Sequence, residues 1–178
     1  EIGCLLVKNH KWLKTSFHQN PEYLRDIEGN ESEINFYDHG MQLTRRFRAL
    51  KFYMSVKTFG LGSFREAIEY NIDLAEKTED LLRKSPYWEV VSPASLAVLN
   101  FRYSPINLSL TEEQLDYINR GVAKKITGAR KAILATNKKQ EKVVIRMCLI
   151  NPRTTMEDIE STLNLCQGFA EEVRSSLE

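Results

Sequence analysis

The sequence lacks most of the features that would assign a protein at once. Among its 178 residues no apolar run approaches the roughly 20 that a membrane helix needs. The opening Glu1-Ile2-Gly3 has none of the basic-then-apolar pattern of a secretory signal. Neither insertion nor export is expected, and the reading is a cytoplasmic protein with no membrane partner. Excess charge is missing too: 25 Lys and Arg stand against 24 Asp and Glu, a net of +1. Such a balance gives nucleic acid nothing to grip. The three cysteines, Cys4, Cys148 and Cys166, are odd in number and form no CxxC pair, which fits reduced thiols better than a disulfide framework. His10, His18 and His39 have no ligand spacing, so no metal is expected. There is no GxSxG elbow, and Gly60-Leu61-Gly62 lacks the third glycine of a dinucleotide loop.

What remains is an ordinary globular composition, 42% hydrophobic and 28% charged, with enough length to bury a core. The first residue is Glu rather than Met and an apolar run follows at once, which reads as a cut through a longer protein. Gly3-Cys4-Leu5-Leu6-Val7-Lys8 has the pattern of a buried strand, with a short helix after it. Asn20 and Pro21 suit the cap and first position of another helical turn. Residues 26–35 are polar and acidic and read as a surface loop. Thr44 suits the cap of a helix over 45–59, ended by Gly60-Leu61-Gly62, and Ser63 the cap of a second over 63–83, stopped by Pro86. The two make a helical hairpin.

Beyond Pro86 the pattern changes. Residues 88–91 and 96–103 are strand-like runs parted by Ser92-Pro93. Thr111 and Gln114 form a capping box for a helix through 127. Strands are expected over 131–136 and 142–149, joined by the polar turn 137–140. Thr154 or Thr155 starts a last helix to 176, apolar at Ile159, Leu163, Cys166, Phe169, Ala170 and Val173. This order predicts an α+β fold, a small, mostly antiparallel sheet with helices on one face.

Specific strings say more than composition. Gly3-Cys4-Leu5-Leu6-Val7-Lys8, Asn20-Pro21-Glu22-Tyr23-Leu24 and Phe36-Tyr37-Asp38-His39-Gly40-Met41-Gln42-Leu43-Thr44-Arg45-Arg46-Phe47-Arg48-Ala49-Leu50-Lys51 occur in that order. With Val144-Ile145-Arg146-Met147-Cys148-Leu149-Ile150-Asn151 they resemble the C-terminal part of the group II pyridoxal-phosphate-dependent amino-acid decarboxylases, nearest the aromatic-L-amino-acid branch. The resemblance covers essentially the whole chain.

It implies a cytoplasmic, homodimeric fold-type-I lyase that uses pyridoxal 5'-phosphate to release CO₂ from an aromatic or related L-amino acid, giving the amine. Residues 1–43 would end the large domain and carry a catalytic lid loop at about 20–36. Residues 44–85 would be the connecting helical hairpin, and 86–178 the small C-terminal α+β domain. The cofactor-bearing lysine of the family would lie upstream, leaving this chain with no cofactor-binding residue and inactive alone. Asn9-His10-Lys11-Trp12 imitates the cofactor motif. Lys11, however, lacks the preceding Pro and follows rather than precedes the Gly-Cys-Leu-Leu-Val run, so it reads as a surface lysine on a short helix.

The resemblance assigns roles to three residues. Tyr23 matches the family's loop tyrosine, which protonates Cα once CO₂ has left; relatives with Phe there act as aldehyde synthases. Leu43 and Thr44 match positions that reach across the dimer interface to the substrate's aromatic ring. The Thr44 hydroxyl resembles the Ser found with phenolic substrates, and its methyl narrows the room for an indole. Arg45, Arg46 and Arg48 resemble a basic cluster near the active-site entrance. Arg146 reads as structural, because a decarboxylase should not pin the carboxylate it must release. Phe36-Tyr37-Asp38-His39-Gly40 departs from the Asp-Tyr-Arg-His-Trp of many animal members. Two other readings stand beside this one: part of an aromatic aldehyde synthase of the same family, and a non-catalytic interaction domain.

Overall fold

Residues 2–18 and 35–177 are described by the structure, a computed structural model. The chain divides into two units, Glu1–Gly60 and Leu61–Glu178. The division falls inside the long helix α2 (Ala49–Lys84), where Gly60 takes φ 79° and leaves helical geometry. That left-handed conformation is open to glycine at little cost, so the break is written at Gly60. Ser63 lies inside the helix instead of capping a new one.

The first unit contains helix α1 (Lys11–Phe17), a 3₁₀ turn at Phe36–His39 and the start of α2. The strand expected over 3–8 does not form. A strand exists only through a ladder to a neighbour, and among the described residues of this unit there is none to pair with. Leu5 and Leu6 are accordingly exposed. Thr44 does not cap a helix either, since α2 starts only at Ala49. Arg48 N–H donates to the Arg46 carbonyl at 2.8 Å and Leu50 N–H to that of Phe47 at 3.2 Å. This tight turn leads directly into the helix.

In the second unit, strands β1 (Trp88–Ser95), β2 (Val98–Tyr103), β3 (Ala135–Lys139) and β4 (Lys142–Cys148) form one antiparallel sheet in the order β1-β2-β4-β3. β1 runs through Ser92-Pro93 instead of stopping there. It can do so because it is an edge strand whose register shifts on both sides of Ser92, where a missing proline N–H costs no ladder bond. The hairpin joining β3 to β4 also lies later than expected. Its turn is Gln140-Glu141, both at positive φ (52° and 61°), the two-residue geometry that suits the strand twist. The residues expected as a turn, 137–140, therefore mostly extend β3.

Helix α3 (Glu112–Gly128) begins at the Thr111/Gln114 capping box, and α4 (Met156–Ser175) at a second box formed by Thr155 and Asp158. Each cap stabilises its helix by about 1 kcal/mol. Spacing at three and four residues puts Ile118, Val122 and Ile126 of α3 and Ile159, Leu163, Cys166, Ala170 and Val173 of α4 on buried stripes. Together with Leu74, Ala75 and Leu82 of α2 they cover one sheet face, lined by Leu99, Phe101, Tyr103, Ile145 and Met147. Trp88 packs edge-on against Phe101 and Tyr103, with centroids 5.3 and 5.7 Å away. In the next sheet row, the register partners Asn100, Arg146 and Ala135 are half-buried, exposed and exposed. The architecture is the α+β layer that the sequence predicts.

Polar contacts fix α3 to the sheet. Arg102 is fully buried and pairs with Glu112 at 2.8 Å and Asp116 at 3.4 Å, while Asp116 also accepts the Val143 N–H at 2.8 Å. The Arg102 guanidinium holds the Glu112 carboxyl below its ordinary range. A buried cation needs such partners, and removing one is costlier than never having the pair.

Candidate functional site

The residues expected to carry chemistry belong to the first unit. Tyr23, with the part of the expected lid loop that spans 20–34, lies outside the described residues. Leu43 and Thr44 lie in a bent, non-helical segment between the 3₁₀ turn and α2, and both are exposed. With Thr44 relieved of capping, its hydroxyl is not committed to the α2 terminus. The Arg45 guanidinium lies beside Gly40, 3.8 Å from where a Cβ would stand there. Arg46 and Arg48 line an open depression with Phe47, Leu50, Lys51 and Met54 at the head of α2. Its lining combines cationic and apolar side chains.

Lys11 is the first residue of α1, and its side chain is exposed. Its N–H donates to Asn9 Oδ1 at 3.0 Å. A lysine that forms a covalent bond to a carbonyl cofactor is activated by desolvation or by a neighbouring cation. Lys11 stands exposed on a short helix with no buried residue, without the burial that would desolvate it. Among the described residues no His, Cys, Asp and Glu cluster suits a metal ion, and no helix is long and apolar enough to cross a membrane.

One polar pair in this unit has no counterpart in the sequence reading. His18 caps the C-terminal end of α1, its N–H donating to the Lys14 carbonyl at 2.8 Å. Its Nδ1 donates to Asp38 Oδ1, also at 2.8 Å. Asp38 sits in the 3₁₀ turn and is only 4% exposed, the one buried residue among the described residues of this unit. Next to it, His39 Nδ1 donates to the Asn35 carbonyl at 3.0 Å. No local pattern signals the pair, because the partners stand twenty residues apart.

Arg146 lies on β4 in the second unit, exposed and in register with Asn100 and Ala135. Cys4 and Cys148 are exposed free thiols and Cys166 is buried, so none is in a disulfide.

The fold and these residues match a known family. The pyridoxal-dependent decarboxylase conserved domain matches residues 1–104. The chain is 46% identical over 177 residues to an aromatic-L-amino-acid decarboxylase of Bacillus atrophaeus, covering 99% of this chain and 37% of that protein. It is 27% identical to a phenylacetaldehyde synthase of a Rosa hybrid cultivar, covering 97% and 35%. The crystal structure of Oryza sativa TDC with PLP and tryptamine superposes with a TM-score of 0.78 at 26% identity, over 90% of this chain and 34% of that one. The chain belongs to the pyridoxal-dependent decarboxylase family. Its α+β layer is the fold of part of these fold-type-I enzymes, and it spans about a third of the length of the relatives it matches.

Proposed function

We propose that this chain is the C-terminal part of a pyridoxal-phosphate-dependent carboxy-lyase that converts an aromatic or related L-amino acid to its amine. The observation that carries the reading is the 46% identity to an aromatic-L-amino-acid decarboxylase over nearly the whole chain. In this reading residues 1–43 end the large domain, 44–85 connect, and 86–178 form the small domain. The lysine that binds the cofactor belongs to a part of the protein outside this chain, in keeping with the solvated position of Lys11. Alone, the chain is inactive.

The bound cofactor supplies an electron sink for the pair left behind by departing CO₂. This chain's contribution is the proton. The Tyr23 phenol delivers it to the substrate Cα, and a site closed to water and oxygen keeps that carbon from side reactions. Leu43 and Thr44 contact the substrate ring from the second subunit of a homodimer, and Thr44 favours a phenolic or smaller side chain over an indole. Exposed apolar side chains in the same unit, among them Leu43, Phe47, Phe52 and Phe59, suit burial against such a subunit or the rest of the protein. Free cysteines suit the cytoplasm.

The second reading, an aldehyde synthase, draws on the 27% identity to phenylacetaldehyde synthase. Tyr23 argues against it. Changing Tyr23→Phe in the full-length protein and assaying amine, aldehyde and ammonia separates the two. The decarboxylase reading expects amine formation to fall and aldehyde with ammonia to rise. Unchanged amine formation would remove the role of Tyr23.

A further inference from the structure

We propose that the cleft between the end of α2, the start of β1 and α4 is a binding site for a small ammonium ligand that carries one apolar ring. The cleft lies wholly within the second unit. Its volume is about 250 Å³, just under the range of pockets that take drug-sized ligands and enough for a single ring on a short chain. Leu82, Trp88 and Leu163, all buried, supply the apolar lining. Ser85, Glu160, Asn164 and Gln167 supply the polar part. The amine product of the reaction proposed above belongs to this ligand class; that link rests on the decarboxylase reading, whereas the binding itself does not.

Charge decides the sign of the ligand. Glu160 is the one ionisable group among the residues that line the cleft, and no cation lines it. Among the described residues neither Glu160 nor Asn164 has a side-chain partner, so both are free to accept a ligand's N–H groups. Gln167 turns its Nε2 to Glu171 at 3.4 Å, which leaves its Oε1 as a further acceptor. The second negative feature is the end of α2 at Lys84, whose last turn forms one wall through Leu81 and Leu82. A helix C-terminus carries roughly half a negative charge and favours a cation. Of the basic residues in that turn, Arg83 pairs with Glu79 at 2.6 Å, and neither it nor Lys84 lines the cleft. Carboxylate, helix end and amide oxygens thus all suit a group that only donates, as an ammonium does. The Trp88 indole and the two leucines take the ring out of water.

The test titrates phenethylamine into this chain carrying Trp12→Phe, which leaves Trp88 as its only indole. A saturable change in Trp88 emission is expected. Phenylpropionate, with the same ring and the opposite charge, should bind at least about fivefold more weakly. Glu160→Gln should weaken phenethylamine about fivefold, and Glu160→Lys should make phenylpropionate the tighter ligand. Glu157→Gln, a turn earlier on α4 and outside the cleft, should change the affinity less than about twofold. No saturable change in Trp88 emission overturns the site, and equal binding of the two probes overturns its preference for a cation. Equal weakening by Glu160→Gln and Glu157→Gln overturns the role of Glu160, since general attraction to an acidic helix would then account for the binding. The measurement involves no catalysis, so its failure leaves the decarboxylase reading untouched. Failure of that reading would remove only the link to the amine product.

Discussion

Asn119 holds both backbone groups of Tyr103. Its Oδ1 accepts the Tyr103 N–H at 2.7 Å, and its Nδ2 donates to the Tyr103 carbonyl at 3.1 Å and to the Leu115 carbonyl at 2.8 Å. A side-chain amide thus serves as the missing strand neighbour at the end of β2, deep in the core. Asn119→Leu has similar bulk but leaves two buried backbone groups without partners. The expected loss is about 2–4 kcal/mol in the urea unfolding free energy of the chain. A loss below about 0.5 kcal/mol would show that water or a shifted neighbour replaces the amide.

Gly121 of α3 lies close against Val173 of α4. A Cβ there would stand 2.8 and 2.9 Å from the two Val173 methyl carbons, and a β-branched side chain has little room to turn away. Gly121→Ala should destabilise the chain by about 1–3 kcal/mol even though alanine is the better helix former. Adding Val173→Ala should restore part of it, and a double-mutant cycle reads the coupling. Simple additivity would mean that the helices move apart freely.

Glu79 links α2 to β1. Its Oε2 accepts the Ala94 N–H at 2.5 Å and Arg83 pairs with its Oε1, and together these hold the carboxyl below its ordinary range. A lowered folded-state value contributes stability above the unfolded value of about 4.3, and that stability is lost as pH falls through the folded value. Unfolding free energy measured from about pH 7 to about pH 3 should therefore fall less steeply on the acid side in Glu79→Gln, which starts lower at neutral pH. Equal slopes would show that Glu79 titrates alike in the folded and unfolded chain, against the lowering described here.

Cys166 faces the core, and burial pushes its thiol up to about 12. Alkylation requires the thiolate. In the native chain at about pH 8, Cys4 and Cys148 should react quickly and Cys166 only after unfolding, as read by peptide mass mapping. Rapid native modification of Cys166 would place it nearer to solvent than it stands here.

Elements with their own local signals were legible. The Thr111/Gln114 box and the apolar stripe of α4 depend on residues a turn apart, and both formed where the sequence places them. Errors arose where neighbours decide. Pro93 breaks a strand in isolation but not on an edge, and 3–8 has the pattern of a strand without a partner. The β3–β4 turn slipped because positive φ at Gln140 and Glu141 uses residues with no strong turn preference.

The expected site residues were read by resemblance and not by physics, and Tyr23 lies outside the described residues. Nothing in local pattern sets Tyr23 or Thr44 apart, and motif strings alone carried them. The capping role read for Thr44 failed because the turn at 46–50 starts α2 instead. His18 and Asp38 escaped notice because a pair that far apart leaves no periodic trace.

The most direct measurement of the central claim is borohydride reduction with pyridoxal phosphate, followed by peptide mass mapping. It is run on this chain and on the protein extended at its N-terminus. The account predicts a stoichiometric adduct only in the extended protein, on a lysine outside this chain. A specific, stoichiometric adduct at Lys11 of this chain alone would contradict it.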